Sequence, residues 1–279
     1  MKSGYFKDKL WLDEFESLHE SLVYAGANTD RRSSDRERDS SWAGSKSLDD
    51  AVKLGIDGYT DIRPQVDEMF SKMEEHINMS LGDVFEMRHD FGGDSVDIDR
   101  FLMGVPECMI DYESTPAGRM GRVVRVLVNG AASSAVSPER IMQRGVLACA
   151  LVDTLSKLGV GVEVWLESAT LDHNTGEKHS QLIKMHSSEE RLDIDNLMFA
   201  LAHPSMLRRI GFSILERTQW IPAKRIAQDG KGYGRPADLL MAEHIQADVC
   251  VDRIENATGD AVKDGVAFIM QMVTGLSLI

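Results

Sequence analysis

Val123-Val124-Arg125-Val126-Leu127-Val128 runs directly into Asn129-Gly130-Ala131-Ala132-Ser133-Ser134, and the reading of these twelve residues decides the fold. Four valines and a leucine around a single arginine suit a strand buried on both faces, as parallel sheets require. The small-residue run that follows reads as a loop. Ser137-Pro138-Glu139 then opens a helix, with Ser as N-cap and Pro in the first turn. Ile141, Val146, Leu147, Leu151, Leu155 and Leu158 recur at helical spacing along it until Gly159. Val160 to Leu166 alternates as a second strand, which completes a βαβ unit.

The rest of the chain is placed from that unit outward. Asn174-Thr175-Gly176 is a tight-turn signal, and Gln181 to His186 reads as a strand that folds back antiparallel at the sheet edge. Helices are expected over Ile194–Ala202 and Pro204–Glu216, a strand over Ala247–Asp252, and a helix from Thr258 to about Thr274. Upstream, Leu10, Phe15, Leu18 and Leu22 share a helical spacing, so residues 1–27 are expected to form an N-terminal helix. Residues 28–41, NTDRRSSDRERDSS, contain no apolar side chain and read as a flexible linker. Ser47 with Asp50 marks a helix start at Leu48, a second helix runs from Ile62 to about Asn78, and residues 82–118 are rich in loop signals. The expected organisation is therefore a helical and loop-rich region over 42–120, then an α/β domain over 121–279.

Composition narrows the functional classes. The chain has 279 residues, 43% of them hydrophobic, with a formal net charge of −14, which is ordinary globular composition rather than a fibre or a disordered tail. No long apolar run and no leader-like start at Met1 are present, so a soluble protein is expected, without membrane contact. Cys108, Cys149 and Cys250 are odd in number and far apart, and read as buried thiols of a reducing compartment. Residues 1–120 hold 26 acidic against 14 basic side chains, which argues against nucleic acid as a partner. The exception is local: Arg208, Arg209, Arg217, Lys224, Arg225, Lys231 and Arg235 face only Glu216 and Asp229 across 208–235. Arg208, Arg209, Lys224, Arg225, Lys231 and Arg235 are candidates for a basic docking surface.

The candidate ligand loop is Asn129, Gly130, Ala131, Ser133 and Ser134, with Asp252 at the end of the later strand. It lies where open α/β sheets bind ligands, at a strand's carboxyl end before a helix N-terminus, with backbone N–H groups available to an anion. One Gly and no Lys give neither a dinucleotide nor a P-loop fingerprint. His173, His179, His186 and His203 fit no zinc spacing; His173 and His186 could face each other across the hairpin and read as a surface polar pair, and His203-Pro204 reads as a helix start. Asp90, Asp94, Asp97 and Asp99 around Gly92-Gly93 lack the terminal Glu of a calcium loop and read as a solvated acidic loop. No catalytic residue and no cofactor is assigned.

The element order resembles the first two-thirds of a von Willebrand factor A-like domain, a three-layer Rossmann-like sheet with an antiparallel edge strand. Metal-binding members end their first strand in Asp-x-Ser-x-Ser. Here that position reads Asn129-x-Ala131-x-Ser133, which removes a carboxylate and a hydroxyl and argues against a divalent cation. Gly104-Val105-Pro106-Glu107-Cys108-Met109-Ile110, the strand into Asn129–Ser133, His203-Pro204-Ser205-Met206-Leu207-Arg208-Arg209-Ile210-Gly211-Phe212 and Gly232-Tyr233-Gly234 together resemble a family of uncharacterised tailed-bacteriophage proteins with such a core. This resemblance implies phage origin and the fold, and carries no activity with it. For function, the expectation is a non-enzymatic module binding a phage or host protein in particle assembly or host takeover, in the host-cell cytoplasm or on the virion. The competing expectation is a metal-dependent hydrolase or nucleotide-handling enzyme built on loop 129–134.

Overall fold

A computed structural model of the chain describes residues 1–7, 9–69, 71, 84–93, 95–115, 122–190, 192–220, 233–253 and 261–276. The chain begins as a hairpin, β1 (Lys2–Lys7) and β2 (Leu10–Phe15), followed by α1 (Leu18–Gly26), two single-turn 3₁₀ helices (Ser33–Asp35 and Glu37–Asp39), α2 (Ser40–Ala43) and α3 (Leu48–Asp57). A further helical stretch, α4, occupies 63–69. Next come β3 (Val84–Asp90), β4 (Ser95–Val96), α5 (Ile98–Leu102) and β5 (Met109–Thr115), which form a separate three-stranded antiparallel sheet. The deciding stretch forms β6 (Val123–Asn129), and α6 (Pro138–Lys157), β7 (Gly161–Leu171), β8 (Lys178–His186) and α7 (Ile194–Ala202) follow. A π-helical turn (Met206–Gly211) leads into α8 (Phe212–Arg217), and β9 (Arg235–Pro236), a one-turn helix (Ala242–Ile245), β10 (Val249–Val251) and a C-terminal helix (Ala261–Gly275) close the chain.

The protein is thus mixed α/β, built on a seven-stranded sheet in the order β1-β2-β8-β7-β6-β10, with β9 paired to β7. β10, β6 and β7 are parallel, β8 is antiparallel to β7, and β2 runs parallel to β8. Ser137 caps α6 by accepting the Arg140 N–H, with Pro138 at the first turn, as its sequence predicts.

Three expectations about organisation need correction. The N-terminal helix of 1–27 is instead a β-hairpin and a short helix, because Ser17 takes an extended conformation and its hydroxyl caps α1 by accepting the Glu20 N–H. That hairpin covers β8, so β8 is an interior strand and not the sheet edge. The region 42–120 is not only helices and loops, since it contains the β3-β5-β4 sheet. Of the helix expected to reach Asn78, residue 70 and residues from 72 on lie outside the described residues.

The two faces of the main sheet are covered unequally. Val124, Val126, Val128, Val164, Leu166 and Ile183 pack under α1, α3, α6 and α7, together with Ile269 and Val273 of the C-terminal helix. On the other face Leu10, Leu12, Leu127, Trp165 and Leu182 meet Met241 and Ile245, so among the described residues a one-turn helix and its flanking chain cover this face. Gly145 sets the closest helix approach: a Cβ there would lie 2.2 Å from the Ala202 Cα. Gly145→Ala should therefore push α6 from α7 and lower stability by about 1–3 kcal/mol, as overpacking does. A denaturant midpoint equal to wild type would show that the crossing can yield.

Candidate functional site

The segment 28–41 is a wall rather than a linker. Arg31 forms a fork to Asp49 at 2.8 and 2.7 Å, and the Ser34 N–H donates to Glu216 at 3.0 Å. Glu216 also accepts from Asn28 Nδ2 at 2.7 Å, from the Ser34 hydroxyl at 2.5 Å, and from the Tyr233 hydroxyl. Polar side chains here hold the backbone of a segment that has no apolar residue to bury.

Arg208 and Arg209 hold the same wall from beneath, which corrects the docking-surface expectation for both. Arg208 is 1% and Arg209 0% exposed. Arg209 donates to the carbonyls of Ser34 (3.2 Å), Arg36 (3.0 Å), Ser45 (2.8 Å) and Lys46 (3.2 Å). Arg208 donates to Trp42 O at 2.6 Å and to Val136 O at 2.5 Å, and its guanidinium lies 4.1 Å from the Trp42 ring centre. Among the described residues neither makes an ion pair with a carboxylate. Burial pulls the Arg208 guanidinium down to about 10, with Glu139 opposing it, and burial likewise lowers Arg209 against Asp35, Asp39 and Asp50. Arg208 therefore remains cationic at neutral pH. Arg235 is exposed on β9, and Arg217 donates to the Tyr24 carbonyl and lies over its ring. Lys224, Arg225 and Lys231 lie outside the described residues.

Between this wall, the π-helical turn and β9 lies a cavity of about 390 Å³ at the carboxyl ends of β6 and β7. Loop residues Ala131, Ala132, Ser133 and Ser134 form its floor, with Ser168, Thr170 and Gln181 from the sheet. Trp42, Phe212 and Tyr233 supply aromatic surface, and Ser33 and Gly234 complete the wall and mouth. Its charged lining is Arg36, Arg208 and Arg235 against Asp39. Arg36 and Arg235 are exposed at the rim, so an entering ligand meets two solvated cations first. Gly234 (φ +92°) lets β9 approach β7, since a Cβ there would lie 2.5 Å from Thr170 Cγ2.

The loop itself is less open than expected. The Ala131 N–H donates to Asn129 Oδ1 at 3.0 Å and Asn129 Nδ2 donates to Ala237 O at 3.3 Å, so the Asn129 side chain holds the turn and the strap after β9. Gly130 has no room for a side chain, as its Cβ would lie 2.7 Å from the Ser168 hydroxyl. Ser134 O accepts the Trp42 indole N–H at 3.0 Å, which ties the loop to α2. Asp252 is exposed beyond β10 and does not line the cavity. Among the described residues no group of three His, Cys, Asp or Glu could hold a metal ion. No described helix is long and apolar enough to cross a membrane.

Three of these four histidines are interior, including His186 of the expected surface pair. His179 is fully buried, 2.7 Å from Asp13 Oδ2 and stacked on Trp220. Asp13 also accepts from Thr218 at 2.7 Å, from Trp11 Nε1 at 3.1 Å and from the Ser3 hydroxyl. Burial alone would raise its carboxyl, but the bonds from His179, Ser3 and Thr218 win and hold it below the usual range. His186 and His203 are buried as well, and only His173 is exposed. His186 pairs with Val164, and His173 sits in the turn, so they do not face each other. Cys149 is buried as expected, whereas Cys108 is partly buried and Cys250 is exposed. Asp97 caps α5 and lies 3.0 Å from His89, and Asp94 is outside the described residues.

Arg36, Asp39, Trp42 and Tyr233 went unassigned in the sequence reading, although Gly232-Tyr233-Gly234 had stood out. Glu167 did too: it is buried on β7 and accepts the Leu240 and Met241 N–H groups and the Ser180 hydroxyl. Burial raises its carboxyl, and the three donors offset this only partly.

A family model described as Domain of unknown function (DUF7192) matches residues 3–278, and the chain belongs to that family. Comparison with curated proteins and with solved structures gives no match.

Proposed function

We propose that this chain, a member of a domain family of unknown function, is a non-enzymatic binding module that takes an acidic segment of a protein partner into the cavity at the carboxyl ends of β6 and β7. The observation that carries this reading is the charge of the lining, three arginines against one aspartate around hydroxyl and aromatic surface. An acidic side chain entering there gains charge-assisted hydrogen bonds at the rim. Catalysis on phosphate would draw on several convergent carboxylates, and among the described residues the lining offers Asp39.

The finer reading is a von Willebrand A-like core with a degenerate metal loop, serving a tailed bacteriophage in particle assembly or host takeover. The strand order β8-β7-β6-β10 with β8 antiparallel supports it, as does Asn129 standing where metal-binding loops carry an acid.

Fluorescence anisotropy of a labelled Glu/Asp-rich peptide tests the proposal. Wild type should bind it, and Arg36→Glu with Arg235→Glu should weaken binding by about tenfold, roughly 1.4 kcal/mol. Raising the salt should weaken binding because the rim charges are exposed. The melting temperature should stay within about 2 °C, since exposed charges contribute little to stability. Equal affinity of the wild type and the double variant would refute the assignment.

A further inference from the structure

The β3-β5-β4 sheet carries a second surface, unrelated to the cavity. Phe91 is 72% exposed, Ile98 67%, Phe101 63%, Leu102 76% and Met103 78%, all within one short stretch that includes α5. Ile98, Phe101 and Leu102 stand three and four residues apart, so they share one side of the helical turn. Single exposed apolar residues are ordinary, but six in thirteen positions, counting Val96 at 45%, mark a contact surface. Their setting is acidic: residues 84–115 contain eight Asp and Glu against Arg88 and Arg100. Asp90 and Asp99, both exposed, flank the apolar group in sequence.

We propose that this surface docks a cationic amphipathic helix of a partner protein, its apolar face on Phe91, Phe101, Leu102 and Met103 and its Lys or Arg residues against Asp90 and Asp99. Charge selects this occupant. A second copy would bring the same acidic stretch against itself, and an anionic membrane surface would be repelled likewise. A basic helix satisfies both the exposed hydrocarbon and the carboxylates beside it.

The test is titration of the full chain with a synthetic helical peptide carrying Leu on one face and Lys on the other. Saturable 1:1 binding is expected. Phe101→Ser with Leu102→Ser should weaken it at least about tenfold without moving the melting temperature, because those side chains lie outside the core. Arg36→Glu with Arg235→Glu should leave it unchanged. A Glu-for-Lys peptide and a Ser-for-Leu peptide should both bind far more weakly. Binding that survives the Phe101 and Leu102 changes would overturn the proposal. So would dimerisation abolished by those changes, or binding to phosphatidylserine vesicles in place of the peptide.

Discussion

Arg209→Met is expected to lower the stability of the protein by about 3–5 kcal/mol, the range for breaking a buried polar network. The methionine would fill most of the volume and remove a buried charge, so packing and desolvation alone predict a small change. What it cannot replace are the donors. Arg209 serves four carbonyls, those of Ser34, Arg36, Ser45 and Lys46, which all belong to the chain between 34 and 46. Each carbonyl left dry costs about 1–3 kcal/mol, offset in part where the segment lifts into water. The cavity wall should loosen along with the loss, so Arg209→Met should also weaken acidic-peptide binding although Arg209 does not line the cavity. Urea denaturation gives the first quantity, and a change under about 1 kcal/mol would mean that the wall is held elsewhere.

Acidification should destabilise the protein by a comparable amount through His203. Burial lowers this imidazole to about 4, with Asp61 opposing it only in part. It is 7% exposed, lies between Phe199 and Tyr59, and accepts the Ser205 N–H at Nδ1, 3.2 Å away. The unfolded chain has an ordinary histidine near 6.5, so below that pH the unfolded state binds the extra proton. Stability is therefore complete above about pH 6.5 and falls until about pH 4, by about 3 kcal/mol in total at 1.36 kcal/mol per unit. Burial lowers His186 as well, which adds to the same slope. His203→Asn keeps an acceptor near Nδ1 and should flatten the dependence, as measured by calorimetry between pH 7.5 and 4.5. An unchanged slope in that variant would place the acid sensitivity in other groups.

The central β6–α6–β7–β8 run was legible because its signals are local. Valines in a row, Ser137-Pro138 and Asn174-Thr175-Gly176 each act within a few residues. The N-terminal hairpin was misread because Leu10 and Phe15 were joined to Leu18 and Leu22 in one helical stripe. The correcting signal was present in Ser17-Leu18-His19-Glu20, a Ser-x-x-Glu start: Ser17 accepts the Glu20 N–H and Glu20 accepts the Glu16 N–H, so the helix begins only at Leu18. Segment 28–41 was unreadable for a different reason. Its order comes from Arg209 and Glu216, more than 160 residues away, and composition cannot register partners at that range. The same distance hid half of the site. Loop 129–134 was found by its position after a strand, whereas Arg36, Trp42 and Tyr233 reach it only through the folded wall.

The cavity assignment is tested most directly by amide hydrogen exchange with and without a saturating Glu/Asp-rich peptide. Slower exchange is predicted at residues 33–36, 131–136 and 233–235, which border the cavity, with no change at 95–103 on the second sheet. Unchanged exchange at all three borders while the peptide is bound would contradict it.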